Sequence, residues 1–150
     1  MVKIRIGKDC GNSPKNLFLR DFNVAVAKGN TEIIGQNITE DVTWHLFEPA
    51  NQKTIHGKDG VIEEHVKNLI IIPAEYNIDT VITHGDKGAV SGVIKSIDGK
   101  SYVYCDVYKF TSHAKGAKIK EMTSYIIRVE SEEEKGNGEN GSGGAFRDAV

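Results

Sequence analysis

One carboxylate stands among aromatic residues in the middle of a strand-like stretch. In SYVYCDVYKFTS, which begins at Ser101, the positions that alternate with Asp106 are all aromatic. They are Tyr102, Tyr104, Tyr108 and Phe110. Because alternate residues of a strand share a face, Asp106 is expected to lie among these rings. Exposed rings would form an apolar stripe that monomers avoid, and a carboxylate in a core is costly unless it is paired or protonated. The pattern therefore predicts either a core or a ligand pocket.

Two interpretations of Asp106 stay open. In the first, the carboxyl lines a pocket and acts on a ligand as a hydrogen-bond donor or acceptor. The aromatic surroundings, with no Lys or Arg on that face of the strand, then predict a raised pKa. In the second, Asp106 is a core carboxyl that bonds to a neighbouring tyrosine and does no chemistry. Trp44, in the alternating stretch DVTWHLFEP, is expected to be buried in either case.

The bulk composition excludes several classes of protein. The 150 residues are 39% hydrophobic and 27% charged, which is typical of one soluble globular domain. A net charge of −2 gives no reason to expect nucleic acid or a membrane as a partner. No apolar run approaches the ~20 residues of a membrane span, and the N-terminus lacks a signal-peptide pattern. Cys10 and Cys105 are therefore expected to be reduced thiols of a cytoplasmic protein.

Three helices are predicted in the first half of the chain. The first runs from about Ser13 to Lys28, with Ser13 as its cap, Pro14 at its first position and Gly29 closing it. A short second helix follows over residues 31–37. The third covers GKDGVIEEHVKNLI and ends before Pro73. Asp59 is its expected cap, and its expected apolar stripe is Ile62, His65, Val66 and Leu69.

Strands dominate the rest of the chain. Residues 2–6 predict a short strand, and DVTWHLFEP predicts another that ends at Pro49. After Pro73, an antiparallel meander is expected with turns at GDKG, DG and HAKGAK. Helices segregated from strands predict an α+β fold with the helices on one face of a sheet. The domain is expected to cover residues 1–130, and the Gly, Glu, Asn and Ser-rich segment 131–150 is expected to be disordered.

The order and spacing of five stretches carry a family resemblance. They are AKGN, TEDVTWHLFEP, HGKDGVIEEHV, YCDVYKF and AKIKEMTSYII. Together they resemble the nuclear-transport-factor-2-like superfamily, which includes SnoaL-like polyketide cyclases, ketosteroid isomerases and limonene epoxide hydrolases. The opening GKDCGNSPKNLFLRDFN also resembles small bacterial SnoaL-like proteins. The resemblance implies a cystatin-like, cone-shaped fold: a curved antiparallel or mixed sheet on three N-terminal helices, with a pocket between them.

The ketosteroid isomerases match at two carboxylates. Their general base precedes a Pro nine residues ahead of the Gly that opens the third helix, and Glu48 has this spacing from Gly57. Their protonated oxyanion-hole Asp opens the motif Asp-x-Phe-x-Phe, which corresponds to Asp106 in DVYKF; a neutral carboxyl in this enzyme is the standard example of such tuning. A Tyr on their first helix corresponds to Phe22, which lacks the hydroxyl. A second interpretation of Glu48 stays open, in which it is only a solvated residue at the end of its strand.

The other two enzyme classes match less closely. The cyclases have an acid/base Asp at the position of Ser124, in a pattern that otherwise keeps Ile119 and Glu121. The epoxide hydrolases have an Arg at the position of Tyr104. The pocket implied by the resemblance is lined by Trp44, Tyr104, Tyr108, Phe18, Phe22, Phe110 and Ser124.

The histidines predict neither a metal nor a cofactor site. They show no pair at the spacing of metal ligands: His45, His56, His65, His84 and His113. His45 lies on the opposite face of its strand from Trp44, so we expect it on the surface or in a dimer face. His84 shares a strand pattern with Ile78 and Ile82 and is expected to be a satisfied buried histidine.

The functional expectation is a protein with a pocket for a small apolar or aromatic molecule. If it is an enzyme, the resemblance implies isomerase-, cyclase- or hydratase-like proton transfer, with Glu48 as base and Asp106 as neutral donor. The alternative is a ligand-binding or protein-interaction module without catalysis. Because proteins of this fold pair through the outer sheet face, a homodimer is also expected.

Overall fold

The computed structural model describes residues 1–69 and 71–130 and folds them around one seven-stranded sheet with three helices. The expected disordered segment 131–150 lies outside the described residues. The strands are β1 (Lys3–Ile6), β2 (Ile38–Glu48), β3 (Asn51–His56), β4 (Pro73–His84), β5 (Lys87–Ser96), β6 (Ser101–Phe110) and β7 (Ile119–Val129). The helices are α1 (Pro14–Lys28), α2 (Thr31–Gln36) and α3 (Lys58–Lys67). The mixed α+β class predicted from the sequence is confirmed.

Local signals fix both ends of α1. The Ser13 side chain accepts a hydrogen bond of 3.1 Å from the backbone N–H of Asn16, which satisfies a donor that the helix leaves free. Pro14 occupies the first turn, where its missing N–H costs nothing. Gly29 has φ 68°, and its N–H returns to carbonyls of the last turn. The predicted helix is confirmed at both ends.

The predicted apolar stripe of α3 is confirmed at His65, which is buried, and at Ile62, which packs partly buried against the core, but it is wrong at Val66 and Leu69. Gly57, with φ 85°, precedes the helix, and Asp59 lies in its first turn instead of capping it. The buried residues are Val61, Glu64 and His65, whereas Val66 and Leu69 are 62% and 48% exposed. The apolar pattern missed Glu64 on this face because Glu64 carries a charge. Glu64 tolerates burial through its ion pair with Lys53.

The sheet is mixed, with the strand order β1-β4-β5-β6-β7-β2-β3. β1 pairs with β4 and β2 with β7 in parallel, and the other neighbours are antiparallel. The strand β3 was not predicted; it forms a hairpin with β2 across the turn at Pro49. The helices pack on one face, here called the inner face: α1 against β4 and β5, and α3 against β2 and β3. The opposite side is the outer face.

A β-bulge overturns the prediction for His84. The pairing of β4 with β5 shifts between Ile78 and Thr80, so one extra residue enters β4. Ile78 and Val81 are both buried, which moves the following even-numbered residues to the outer face. Ile82 is therefore 60% exposed and His84 is exposed. A simple alternation cannot anticipate this change of face.

Two further observations bear on the sequence expectations. None of the described helices is both long and apolar enough to cross a membrane. Cys10 is buried and Cys105 half-buried, and both thiols are free.

Candidate functional site

Asp106 lies at the centre of the sheet, on the inner face. In the pairing of neighbouring strands it stands opposite Val90 of β5 and Ser124 of β7. The aromatic residues on either side of it, Tyr104 and Tyr108, are 4% and 2% exposed. Asp106 itself is only half-buried. A carboxyl-bearing residue therefore keeps accessible surface in a part of the sheet that is otherwise closed.

A hydrogen-bonded chain from α1 reaches one oxygen of Asp106. The Tyr108 hydroxyl donates to Asp106 Oδ2 at 3.3 Å and accepts from Asn23 Nδ2 at 3.1 Å. Asn23 is fully buried and also donates to the backbone carbonyl of Leu19 at 2.9 Å. Its Oδ1 accepts from the Tyr76 hydroxyl at 3.4 Å. The chain thus joins α1, β4 and β6 to the carboxyl.

A second chain comes from β2. The Trp44 indole Nε1–H donates to Ser124 Oγ at 2.9 Å, and the Ser124 side chain in turn bonds to Asp106. Burial raises the pKa of Asp106 to about 6, although the bonds from Ser124 and Tyr108 lower it in part. None of the ion pairs within residues 1–69 and 71–130 includes Asp106. Its ionised form is held by hydroxyl groups instead of a cation.

His65 fixes the position of Trp44. The two rings stack with centroids 4.9 Å apart and planes 14° from parallel. Burial lowers the pKa of His65 to about 4, against the opposing effect of Glu64, so the imidazole is neutral at pH 7. His65 therefore packs as an aromatic surface that keeps the indole N–H directed at Ser124.

Glu48 occupies the same inner face as Trp44, at the end of β2. Its Oε1 is buried without a hydrogen-bond partner among the described residues. Burial raises the pKa of Glu48; Lys53 opposes this effect and Glu64 adds to it. Lys53 forms an ion pair with Glu64, so the neighbouring cation is already shared. A half-buried carboxylate with one unpaired oxygen is suited to accept a proton from a ligand.

The two carboxylates are separated along and across the sheet. Asp106 stands opposite Ser124, and Ser124 opposite Leu46. Glu48 therefore lies two strands across and two residues along from Asp106, which corresponds to roughly 12 Å between Cα atoms in a flat sheet.

Three phenylalanines from the sequence prediction form one cluster behind Tyr108. Phe22 meets the Tyr108 ring edge-on with centroids 5.9 Å apart, and Phe18 meets Phe110 in the same way at 5.5 Å. Phe22 and Phe110 are 3% and 0% exposed. Lys15 Nζ lies 4.3 Å from the centre of the Phe110 ring. The cluster supports Tyr108 from the α1 side.

Tyr104 is held away from Asp106 by a contact that requires a glycine. Its hydroxyl donates to the backbone carbonyl of Asn77 at 2.8 Å, and its ring packs on Tyr76 with centroids 5.1 Å apart. A Cβ at Gly92 would lie 1.8 Å from that carbonyl oxygen and 2.8 Å from the Tyr104 hydroxyl. Only glycine leaves space for this bond, so Tyr104 contributes a ring to the site while its hydroxyl bonds to the main chain.

Sequence reasoning did not connect Asn23, Tyr76 or His65 with the site, although it placed His65 on the apolar face of α3. Asn23 follows Leu19 by four residues on the buried face of α1, and a polar residue on such a face was the available signal. Tyr76 and His65 lie on elements whose faces were predicted only in part. The hydrogen bonds that link these residues join positions far apart in the chain, so spacing could not reveal them.

A surface groove of about 410 Å³ lies elsewhere on the molecule. It is lined by Lys8, Asp9, Asn12, Asn16, Asp79, Thr80, Val81, Ile82 and Thr83. None of these residues takes part in the bonds around Asp106 or Glu48. The groove brings no three metal-binding side chains together among the described residues.

Known families and structures resemble this chain along most of its length. A family model described as a SnoaL-like domain matches residues 19–122. A candidate ketosteroid isomerase from Kribbella flavida superposes with a TM-score of 0.63 at 14% identity, covering 77% of this chain and 78% of that one. A nuclear-transport-factor-2-like protein of unknown function from Burkholderia xenovorans gives 0.60 at 16% identity, covering 85% and 94%. A similar protein from Mesorhizobium loti gives 0.61 at 14%, covering 82% and 98%. No curated protein shows significant sequence similarity.

Proposed function

Because the chain belongs to the SnoaL-like domain family, we propose that it binds a small apolar or aromatic molecule in a conical pocket and transfers a proton on it. The pocket lies between the inner face and the helices. The observation that carries this proposal is the accessible surface of Asp106 between two closed aromatic neighbours. A polar group in an otherwise apolar and aromatic site is typical of small-molecule sites.

Glu48 and Asp106 have complementary roles in the proposed reaction. Glu48 removes a proton from a carbon next to a ligand carbonyl: the C–H bond breaks, an O–H bond forms on Glu48, and the electron pair moves onto the ligand oxygen. Protonated Asp106 donates a hydrogen bond to that oxygen. Return of the proton to another carbon completes an isomerisation. With a pKa of about 6, Asp106 is protonated in about one molecule in ten at pH 7, so ligand binding must favour the neutral form.

A binding module without catalysis is the second candidate. Phe22 favours it, because the position supplies a ring where the resemblance to ketosteroid isomerases calls for a hydroxyl. Such a module would use the same pocket to retain a ligand unchanged.

We also propose that the protein pairs with a second copy through the outer face. Val107, Tyr125 and Ile127 on this face are 36%, 47% and 54% exposed, and Tyr125 stacks on Phe47 with centroids 5.3 Å apart. His45 lies on the same face, and its Nε2 is 3.4 Å from Glu121 Oε2. An exposed apolar patch with charged neighbours favours association between copies.

Deuterium exchange tests proton transfer without knowledge of the substrate. The protein is incubated in D₂O with simple aromatic ketones such as 1-indanone, and loss of the proton next to the carbonyl is followed by NMR. We expect exchange faster than in buffer, and Glu48→Gln should slow it by about 100-fold or more. Tyr102→Phe, on the same strand face but outside the hydrogen-bonded chains, is the matched control.

The same experiment separates the two candidates. Ketone binding with exchange no faster than in buffer would support the binding module. Exchange that Glu48→Gln leaves unchanged would contradict the assignment of the base.

A further inference from the structure

We propose that Asn23 and Trp44 are positioning residues that aim two hydroxyl hydrogens at Asp106. This inference rests on the proposed function, because it concerns how the donor of that site is prepared. The hydrogen bonds that the two residues donate go to Leu19, Tyr108 and Ser124, and none goes to the carboxyl. Each donates an N–H to a hydroxyl group, and the hydroxyl then has its own hydrogen left for Asp106.

The orientation of the Asn23 amide follows from its partners. The Leu19 carbonyl can only accept a hydrogen bond, so the amide nitrogen must face it. That orientation places the second N–H toward the Tyr108 oxygen at 3.1 Å and leaves Oδ1 to accept from Tyr76. The Tyr108 oxygen is therefore an acceptor toward Asn23, and its hydrogen is directed to Asp106.

Trp44 acts in the same way on the other side. An indole N–H can donate but not accept, so Ser124 Oγ is necessarily the acceptor at 2.9 Å. The stacked His65 ring keeps the indole in this position. Ser124 then has its hydrogen available for Asp106, which stands directly opposite it on β6.

The two chains determine what each form of Asp106 can do. The ionised carboxylate receives both hydroxyl hydrogens, which lowers its pKa against the effect of burial. The protonated carboxyl meets two hydroxyl groups that are already aimed as donors, so its own hydrogen is left for a ligand. The titratable groups near it are those whose pKa its charge helps to raise: the hydroxyls of Tyr76 on β4 and of Tyr104 and Tyr108 on β6, and the Cys105 thiol beside it in the chain.

The test measures the titration of Asp106 by carboxyl ¹³C NMR in the whole protein without any ligand. Trp44→Phe keeps a ring against His65 but removes the N–H, and we expect the pKa of Asp106 to rise by about one pH unit. In a Ser124→Ala background, Trp44→Phe should add nothing further, because its effect passes through that hydroxyl. Asn23→Leu should likewise raise the pKa of Asp106, and it should add nothing further in a Tyr108→Phe background. Tyr102→Phe is the control and should not shift the titration.

The outcomes decide the inference separately for Trp44 and for Asn23. An unchanged pKa in Trp44→Phe, or an equal rise in the Ser124→Ala background, would overturn the inference for Trp44 by showing a merely structural role. If Asn23→Leu does not fold, Tyr108→Phe alone must raise the pKa for the Asn23 arm to stand. The titration needs no turnover, so a protein that fails the deuterium-exchange experiment can still pass this one.

Discussion

The two sides of the sheet differ in their exceptions to the usual pattern of buried apolar and exposed polar residues. On the inner side, polar groups are buried: Ser124 in the sheet, and Asn23 and Glu64 on the helices that cover it, with Asp106 half-buried. The outer face exposes apolar groups such as Tyr125 and Ile127. Buried polar and exposed apolar groups are the informative exceptions on a protein surface. The contrast fits the two proposals made above, a site with polar groups on the inner side of the sheet and pairing of two copies through the outer face.

Substitutions that strand a charge on the inner face should have the largest effect on folding. Lys53→Met removes the cation paired with Glu64, which is buried, and also the cation that opposes the raised pKa of Glu48. We expect a loss of about 2–3 kcal/mol in the free energy of unfolding, measured by urea denaturation at pH 7. Lys67→Met, which breaks an exposed pair with Glu63, is the control and should change it by less than about 0.5 kcal/mol. Equal losses would mean that burial of Glu64 has no special cost.

The next effect should separate two substitutions at Asp106. Asp106→Leu leaves the Tyr108 and Ser124 hydroxyls without their acceptor, and we expect a loss of about 1–3 kcal/mol. Asp106→Asn keeps an acceptor and removes the buried charge, so at pH 7 its stability should equal or exceed that of the wild type. Thermal melting of both variants measures the difference. A strongly destabilised Asn variant at pH 7 would contradict the view that the charge is costly.

The raised pKa of Asp106 should also make the free energy of unfolding depend on pH. The pKa of Asp106 is about 6 in the fold against 3.8 for an unperturbed aspartate, so the folded state binds more protons between these two values. The stability that protonated Asp106 contributes is fully present below about pH 3.8 and is lost as the pH rises through about 6. After allowing for partial solvent access, we expect the wild type to lose about 1–2 kcal/mol relative to Asp106→Asn between pH 4 and pH 7. Parallel pH profiles for the two proteins would show that Asp106 titrates normally.

A substitution on the outer face should have the smallest effect on the fold and a large effect on assembly. Ile127→Lys places a charge on a residue that is 54% exposed, so the free energy of unfolding of one chain should change by no more than about 0.5 kcal/mol. Light scattering at micromolar concentration should report a dimer for the wild type and a monomer for the variant. Gln36→Lys, which adds the same charge on an exposed position of α2, should stay dimeric. A monomeric wild type would contradict the proposal that two copies pair through the outer face.

Features controlled by neighbouring residues could be predicted from the sequence. The ends of α1 follow from Ser13, Pro14 and Gly29, whose capping and backbone preferences act within one turn. The buried face of β6 follows from its alternation, because nothing interrupts the pairing around Asp106. The family resemblance rested on the same local patterns, and the α+β class followed from their order.

Features that depend on contacts between distant segments were decided only by the tertiary structure. The bulge in β4 turned His84 outward, the ion pair with Lys53 allowed Glu64 to face the core, and the glycine at position 92 directed the Tyr104 hydroxyl to a main-chain carbonyl. Asn23 and Tyr108 are separated by 85 positions in the chain, yet their hydrogen bond sets the direction of the donor at Asp106. The sequence determined which residues could carry charge or donate hydrogen bonds. Their protonation and partners depended on burial and on non-local pairing, which residue spacing does not encode.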